Sequence, residues 1–256
     1  MWNAPVPRGA GAFHFAAVRA LALHKNTLEN RHMTAETLTY AIGDIHGCAD
    51  LLDALLERID THAAGRAKKL VFLGDYIDRG PDSARVIETL RKLQWREPDD
   101  VVCLMGNHEA MLLKTLQEPG ALDHWLANGG AATLTSFDAA GPEEIPGDVL
   151  DWVEQLPTLH SDAQRWYVHA GFRPDAEVPD PDREVHLWMR EPFLSADHDF
   201  GRHVVHGHTP QTRGGPERKR FRTNLDTGAV YGNALTAGVF SSRQGPPEEI
   251  LSIPVR

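Results

Sequence analysis

The chain has 256 residues, 41% of them hydrophobic and 24% charged, a composition that suits one sizeable core or one domain carrying an insertion. No run approaches the ~18 uninterrupted apolar residues of a membrane span, and a net charge of -10 with histidines neutral argues against a general nucleic-acid binder. Two cysteines, Cys48 and Cys103, make no disulfide framework and point to a reducing cytoplasm.

Residues 1–36 carry Arg8, Arg19, Lys25 and Arg31 but no acid before Glu29, and their apolar stretch is broken by His14 and Arg19. They read as a poorly ordered extension, or as a start placed too far upstream of Met33. A domain spanning 37–256 is expected to follow. Its first strand is Leu38 to Ile42, and Asp50 to His62 has apolar residues at Leu51, Leu52, Leu55, Leu56 and Ile59, a helical spacing with one buried stripe. Leu70 to Leu73 reads as a strand, and Ser83 to Trp95 as a second helix opened by Pro81. Val101 to Met105 is a third strand, with a helix from Ala110 to Leu116 behind it. From 119 to 160 the pattern loosens into helical pieces parted by Gly129-Gly130, Gly141-Pro142 and Pro146-Gly147, expected to form a helical cap rather than sheet. Beyond the cap, Arg165 to Val168, Val204-Val205 and Arg222 to Leu225 are strands, and Ala234 to Phe240 with Ile250 to Val255 are expected to complete a second sheet.

Polar motifs stand at the mouths of these strands. Gly43-Asp44-Ile45-His46-Gly47, Gly74-Asp75-Tyr76-Ile77-Asp78-Arg79-Gly80 and Gly106-Asn107-His108-Glu109 each follow an apolar run, and Asp44, Asp75 and Asn107 lie 31 and 32 residues apart, about one βαβ unit. Consecutive parallel strands bring such loops to one edge of a sheet, where open α/β folds bind ligands. Together with His206-Gly207-His208-Thr209-Pro210 they can build a site for two metal ions, and their oxygen and imidazole donors favour Mn, Fe or Zn.

The ordered series resembles the calcineurin-like metallophosphoesterases, and within them the phosphoprotein phosphatase branch. Val168-His169-Ala170-Gly171, Trp188-Met189-Arg190-Glu191 and the run from Leu225 to Gly232 extend the likeness from about Thr39 to Phe240. The resemblance implies an α/β fold, a sandwich of two mixed β-sheets flanked by helices. It also implies two divalent ions, Mn first, with Asp44 and His46 on one, Asp75 bridging, and Asn107, His169 and His208 on the other. Pro210 stands where the wider superfamily often has a further histidine ligand, which favours the phosphatase branch, and His206 is expected to be structural. His108 resembles the general acid, with Asp78 orienting it. Arg79 and Arg190, with Asn107, would hold the phosphoryl oxygens.

The implied reaction is hydrolysis of phosphoric monoesters of the Ser/Thr protein phosphatase type, by in-line attack of a hydroxide shared between the metals. Symmetrical diadenosine tetraphosphatases share that metal core, so a dinucleoside tetraphosphate is the alternative substrate. A scaffold that has lost catalysis would be expected to lack a ligand or the acid, and none is missing here. Partners are thus phosphorylated proteins or small phosphoesters, with no nucleic acid and no membrane. The basic run Arg213 to Arg222 is either a solvated loop or a guide for anionic substrates. Cys48 reads as a small buried residue rather than a redox-sensitive neighbour of the site.

Overall fold

The structure is a computed structural model and describes residues 36–211 and 215–255. The expected extension, apart from Glu36, and Arg213 of the basic run lie outside the described residues. Three parallel strands, β1 (Leu38–Ile42), β2 (Lys68–Phe72) and β3 (Val101–Cys103), alternate with helices α1 (Ala49–Ala63) and α2 (Ser83–Arg96). The two faces of these strands are both buried, which explains their near-continuous apolar character. Tyr40, Ile42, Leu70 and Phe72 point to one side and pack with Leu52, Leu55, Ile59, Val86, Ile87 and Leu90 of the helices. Ala41, Val71 and Leu73 point to the other and meet Tyr167, Val205 and Leu225 of a second sheet.

That second sheet contains β4 (Leu159–Ser161), β5 (Arg165–Val168), β6 (His203–His206), β7 (Glu217–Arg218) and β8 (Arg222–Asn224), in the order β4-β5-β6-β8-β7. Its centre is again parallel, β5 with β6 and β6 with β8, and its edges are antiparallel. Its outer face is closed by Phe172, Phe193 and Phe200. The double-sheet sandwich is therefore as the resemblance implies.

The last two strands correct the sequence reading. β9 (Ala234–Phe240) and β10 (Glu249–Pro254) belong to the first sheet, whose order is β10-β9-β1-β2-β3, with β9 antiparallel to β1. Leu235, Ala237, Val239 and Leu251 extend the apolar floor under α1, while Phe240 enters the layer between the sheets. A near-continuous apolar run shows that such a strand is buried on both faces but not which neighbour it takes.

Helix α3 (Asn107–Gln117) begins at Asn107, three residues earlier than expected, so Asn107, His108 and Glu109 form a first helical turn rather than a loop. The segment that follows contains α4 (Leu122–Trp125), a wide five-residue turn Leu126–Gly130, α5 (Ala131–Phe137) and α6 (Gly147–Glu154). It is helical as expected, but its last residues, 159–160, already belong to β4. A short helix α7 (Arg183–Trp188) lies between β5 and β6. The basic run also departs from a simple loop. Arg222 is buried on β8 and pairs with Glu217 at 2.6 Å, while Lys219 donates to the Leu194 carbonyl at 2.8 Å.

Candidate metal centre

The six parallel strands, three from each sheet, each deliver a polar residue just past their carboxyl ends: Asp44, Asp75 and Asn107 from β1, β2 and β3, and His169, His208 and Asp226 from β5, β6 and β8. Side chains from two sheets thus converge on one buried cleft. Among the described residues, two groups lie close enough to hold an ion, His46 with Asp75 and His108, and Asp75 with His169 and His208. Asp75 is common to both. Its Oδ2 is 3.5 Å from His46 Nε2 and its Oδ1 3.4 Å from His169 Nε2. Asn107 Oδ1 is 2.9 Å from His169 Nε2 and 2.8 Å from His208 Nδ1. Asp44 joins neither group; its carboxylate accepts the His208 backbone N–H at 3.1 Å and lies beside Asp226. His206 faces away, in contact with Phe193 and Arg222.

The donor set fits divalent cations. The carbonyl of Ile77 takes the Nδ1 proton of His46 at 2.8 Å, and the carbonyl of Leu73 takes that of His169 at 2.9 Å. Each ring is thereby fixed with its Nε2 lone pair towards Asp75, the arrangement of a ligating imidazole with an oriented partner. On His169 that lone pair faces the carbonyl oxygen of Asn107, an electron-rich contact that a cation relieves. Burial lowers the pKa of His46 and of His208 to about 3, against the pull of Asp75, so both rings are neutral. Burial also pushes Asp226 up to about 7 and Asp44 well above its usual range, with the other carboxylates adding to the rise. Such a concentration of buried acids calls for positive charge at its centre.

His108 differs from His46 and His169 in its partners. Its Nδ1 donates to Asp78 Oδ2 at 2.7 Å, and its Nε2 is 4.0 Å from Asp75 Oδ2. Burial works against its charge, but the carboxylates of Asp75 and Asp78 outweigh it and raise its pKa. Arg79 donates to His46 Nε2 at 2.7 Å, and its guanidinium carbon is 5.8 Å from the centre of the Tyr231 ring. Arg190 Nε donates to His208 Nε2 at 3.3 Å from the opposite side. The two arginines therefore flank the cleft, one beside each ligand group.

Four residues with no role in the sequence reading complete the site. Glu109 accepts backbone N–H groups of Asp75 (2.9 Å), Tyr76 (2.8 Å), Ile77 (3.3 Å) and Gly106 (2.9 Å). It ties the loop after β2 to the start of α3. That loop needs restraint, because Asp75, Asp78 and Arg79 all have positive φ (54°, 73° and 70°). Asp226 is the second. The others come from the cap: Trp125 Nε1 donates to Asp78 Oδ2 at 2.9 Å, and Thr133 Oγ1 to Asp78 Oδ1 at 2.6 Å. Glu109 and Asp226 stand inside quoted motifs and so carried a signal; Trp125 and Thr133 carried none beyond an apolar cap residue and a helical threonine. Cys48 is only partly buried, at the rim of an 870 Å³ cavity that also reaches Arg79. A second cavity, of about 840 Å³, opens beside Trp188, whose ring centre is 6.2 Å from that of His208.

Residues 38–232 match the family described as calcineurin-like phosphoesterase. Serine/threonine-protein phosphatase 1 of Salmonella typhimurium is 32% identical over 209 residues, covering 77% of this chain and 89% of that protein. The symmetrical bis(5'-nucleosyl)-tetraphosphatase of Pseudomonas syringae pv. syringae is 35% identical over 137 residues, covering 53% of this chain. That alignment spans only 42% of the Pseudomonas protein. A crystal structure provisionally assigned as a diadenosine tetraphosphatase superposes with a TM-score of 0.64 at 25% identity, over 88% of this chain and 96% of that one.

Proposed function

The chain belongs to the calcineurin-like phosphoesterase family, a metal-dependent phosphoester hydrolase, and we propose that it is a phosphoric monoester hydrolase of the Ser/Thr protein phosphatase type. The reading rests foremost on the buried His108–Asp78 pair set beside Asp75, the carboxylate common to both ligand groups. Asp44, His46 and Asp75 would hold one divalent ion, and Asp75, Asn107, His169 and His208 the other, Mn first with Fe or Zn as alternatives. When bound, such a pair supplies positive charge for the phosphoryl oxygens and a solvent nucleophile near neutral pH.

The chain's own groups supply the rest. Arg79 and Arg190 reach the cleft from its two sides and would hold the phosphoryl oxygens, with Asn107 as a further contact. Planar guanidinium forks suit that task. His108 keeps Nδ1 on Asp78, so its Nε2 faces the cleft and delivers a proton to the departing alkoxide. Raised by Asp75 and Asp78, the imidazole stays protonated at a pH where an isolated ring would have lost its charge.

The test is the leaving-group dependence of His108→Asn. Loss of kcat should be large for poor leaving groups and small for p-nitrophenolate, with both metals retained. Equal losses on every ester would remove His108 as the acid.

A second reading, hydrolysis of a symmetrical dinucleoside tetraphosphate, is supported by the Pseudomonas relative and by the two cavities beside Arg79 and Trp188, one for each end of such a substrate. Parallel kinetics on a phosphoserine peptide and on diadenosine tetraphosphate separate the two. A kcat/KM favouring the dinucleotide would overturn the first. The protein is proposed to work in the cytoplasm on phosphorylated proteins or small phosphoesters; among the described residues no helix is long and apolar enough to cross a membrane. The proposed organisation is one domain, 37–256, with the cap from 119 to about 158.

A further inference from the structure

Asp78 is fully buried, and its carboxylate meets three donors that come from two separate parts of the chain. His108 Nδ1 and Trp125 Nε1 share Oδ2 at 2.7 and 2.9 Å, and Thr133 Oγ1 approaches Oδ1 at 2.6 Å. The direction of each bond is fixed by chemistry. An indole N–H can only donate. Thr133 Oγ1 already accepts the backbone N–H of Asp78 at 2.8 Å, so its own proton is free for the carboxylate. Asp78 is thereby held as an acceptor on both oxygens, and His108 Nδ1 must be the donor facing it.

The wide turn that joins Trp125 to the helix of Thr133 is shaped for the purpose. Gly129 has φ 106°, and its carbonyl accepts the Arg79 backbone N–H at 3.1 Å. A Cβ there would lie 2.7 Å from Arg79 Cγ, and a Cβ on Gly130 would lie 2.4 Å from the indole of Trp125. The cap backbone therefore sits directly on Asp78 and Arg79, at a point where both have left-handed conformations.

We infer that Trp125 and Thr133 are positioning residues for proton transfer: the cap clamps Asp78 so that His108 keeps its Nδ1–H on that carboxylate and presents Nε2 to the leaving group. This rests on the reading of His108 as general acid. A bland alternative is that Trp125 is simply a large buried core residue, since its ring belongs to the main apolar cluster. The two roles differ in what they change. Packing alone alters stability, whereas positioning alters the dependence on the leaving group and acts only through His108.

The experiment uses the full-length, manganese-loaded chain with Trp125→Phe, which keeps an aromatic ring but removes the N–H, and Thr133→Val beside Thr133→Ser. Each is measured on aryl phosphates of graded leaving-group pKa, with bound metal counted. Trp125→Phe and Thr133→Val should lose on the order of ten-fold in kcat on phenyl phosphate, the scale of a hydrogen bond to a charged group, and much less on p-nitrophenyl phosphate. KM and metal content should not move, and Thr133→Ser should recover most of the loss. In a His108→Asn background the same changes should cost nothing further, because their shared target is gone. Imidazole 15N spectra of the diamagnetic zinc-loaded protein, at a pH high enough for the ring to be neutral, should show His108 passing from one tautomer to a mixture in Trp125→Phe.

Equal losses on all esters, or a full additional loss on top of His108→Asn, would overturn the inference. If Trp125→Phe does not fold, the Thr133 pair decides by the same readouts. Equal losses from His108→Asn itself would instead sink the general-acid reading. The 15N spectrum would then decide the clamp alone: an unchanged His108 signal refutes it.

Discussion

Replacing Glu109 by Gln tests whether this buried carboxylate holds the loop after β2 and the start of α3 as an anion. Burial and the neighbouring Asp75 push its pKa up to about 7, while the amides of Tyr76 and Gly106 oppose the rise. The geometry favours the charged form, because every neighbour within hydrogen-bond range is a backbone donor: Asp75 and Gly106 on Oε2, Tyr76 and Ile77 on Oε1. A glutamine has one acceptor oxygen, so whichever way its amide turns, two backbone N–H groups face an NH2. Hydrogen bonds to a charged acceptor are each worth about 1.5–3 kcal/mol, so losing two predicts a cost of about 3–6 kcal/mol. That is a large share of the ~5–15 kcal/mol that stabilises a typical domain. The assay is urea unfolding of the metal-free protein at about pH 8, where no ion compensates. A loss below about 1 kcal/mol would refute the reasoning, since it would mean that Glu109 is protonated in the fold and that an amide replaces it without loss.

Three further outcomes are expected. Burial lowers His203 on β6 to about 4, against an ordinary value of 6.5, so the unfolded chain binds more protons between these values. Stability carried by this group is present above about pH 6.5 and is lost as pH falls towards 4; from about pH 7 to 5 the loss is about 2 kcal/mol. His203→Gln should be correspondingly less acid-sensitive than the parent in denaturant titrations, and an identical pH slope would contradict this. Gly129→Ala should raise the inhibition constant for inorganic phosphate, because the new methyl displaces Arg79; unchanged phosphate binding would show that the turn does not seat that side chain. Chelation should abolish activity and lower the melting temperature by calorimetry, and Mn²⁺ should restore both, because the buried acids Asp44, Asp75 and Asp226 lose their counter-charge. A melting temperature indifferent to Mn²⁺ would argue against a cation among them.

Much of the site was legible in the sequence because its chemistry is local. A polar residue directly after an apolar strand must lie at that strand's carboxyl end, and the spacing of Asp44, Asp75 and Asn107 matches successive βαβ units, so their convergence follows from strand order alone. His169 and His208 are legible in the same way, on β5 and β6. The helices α1 and α2 announced themselves through apolar residues three and four apart, a period that backbone geometry imposes.

What only the tertiary structure decided are pairings between distant segments. β9 reads as a buried strand in either sheet; the unfilled floor beneath α1 gives it to the first. Glu109 contacts amides 32 to 34 residues away, and Trp125 and Thr133 reach Asp78 across 47 and 55 residues. No periodicity encodes such contacts, because hydrogen-bonding capacity is a property of the residue but its partner is set by how the layers pack. Composition and order thus specify which groups stand at the rim of the sandwich, and packing specifies which of them hold one another in place.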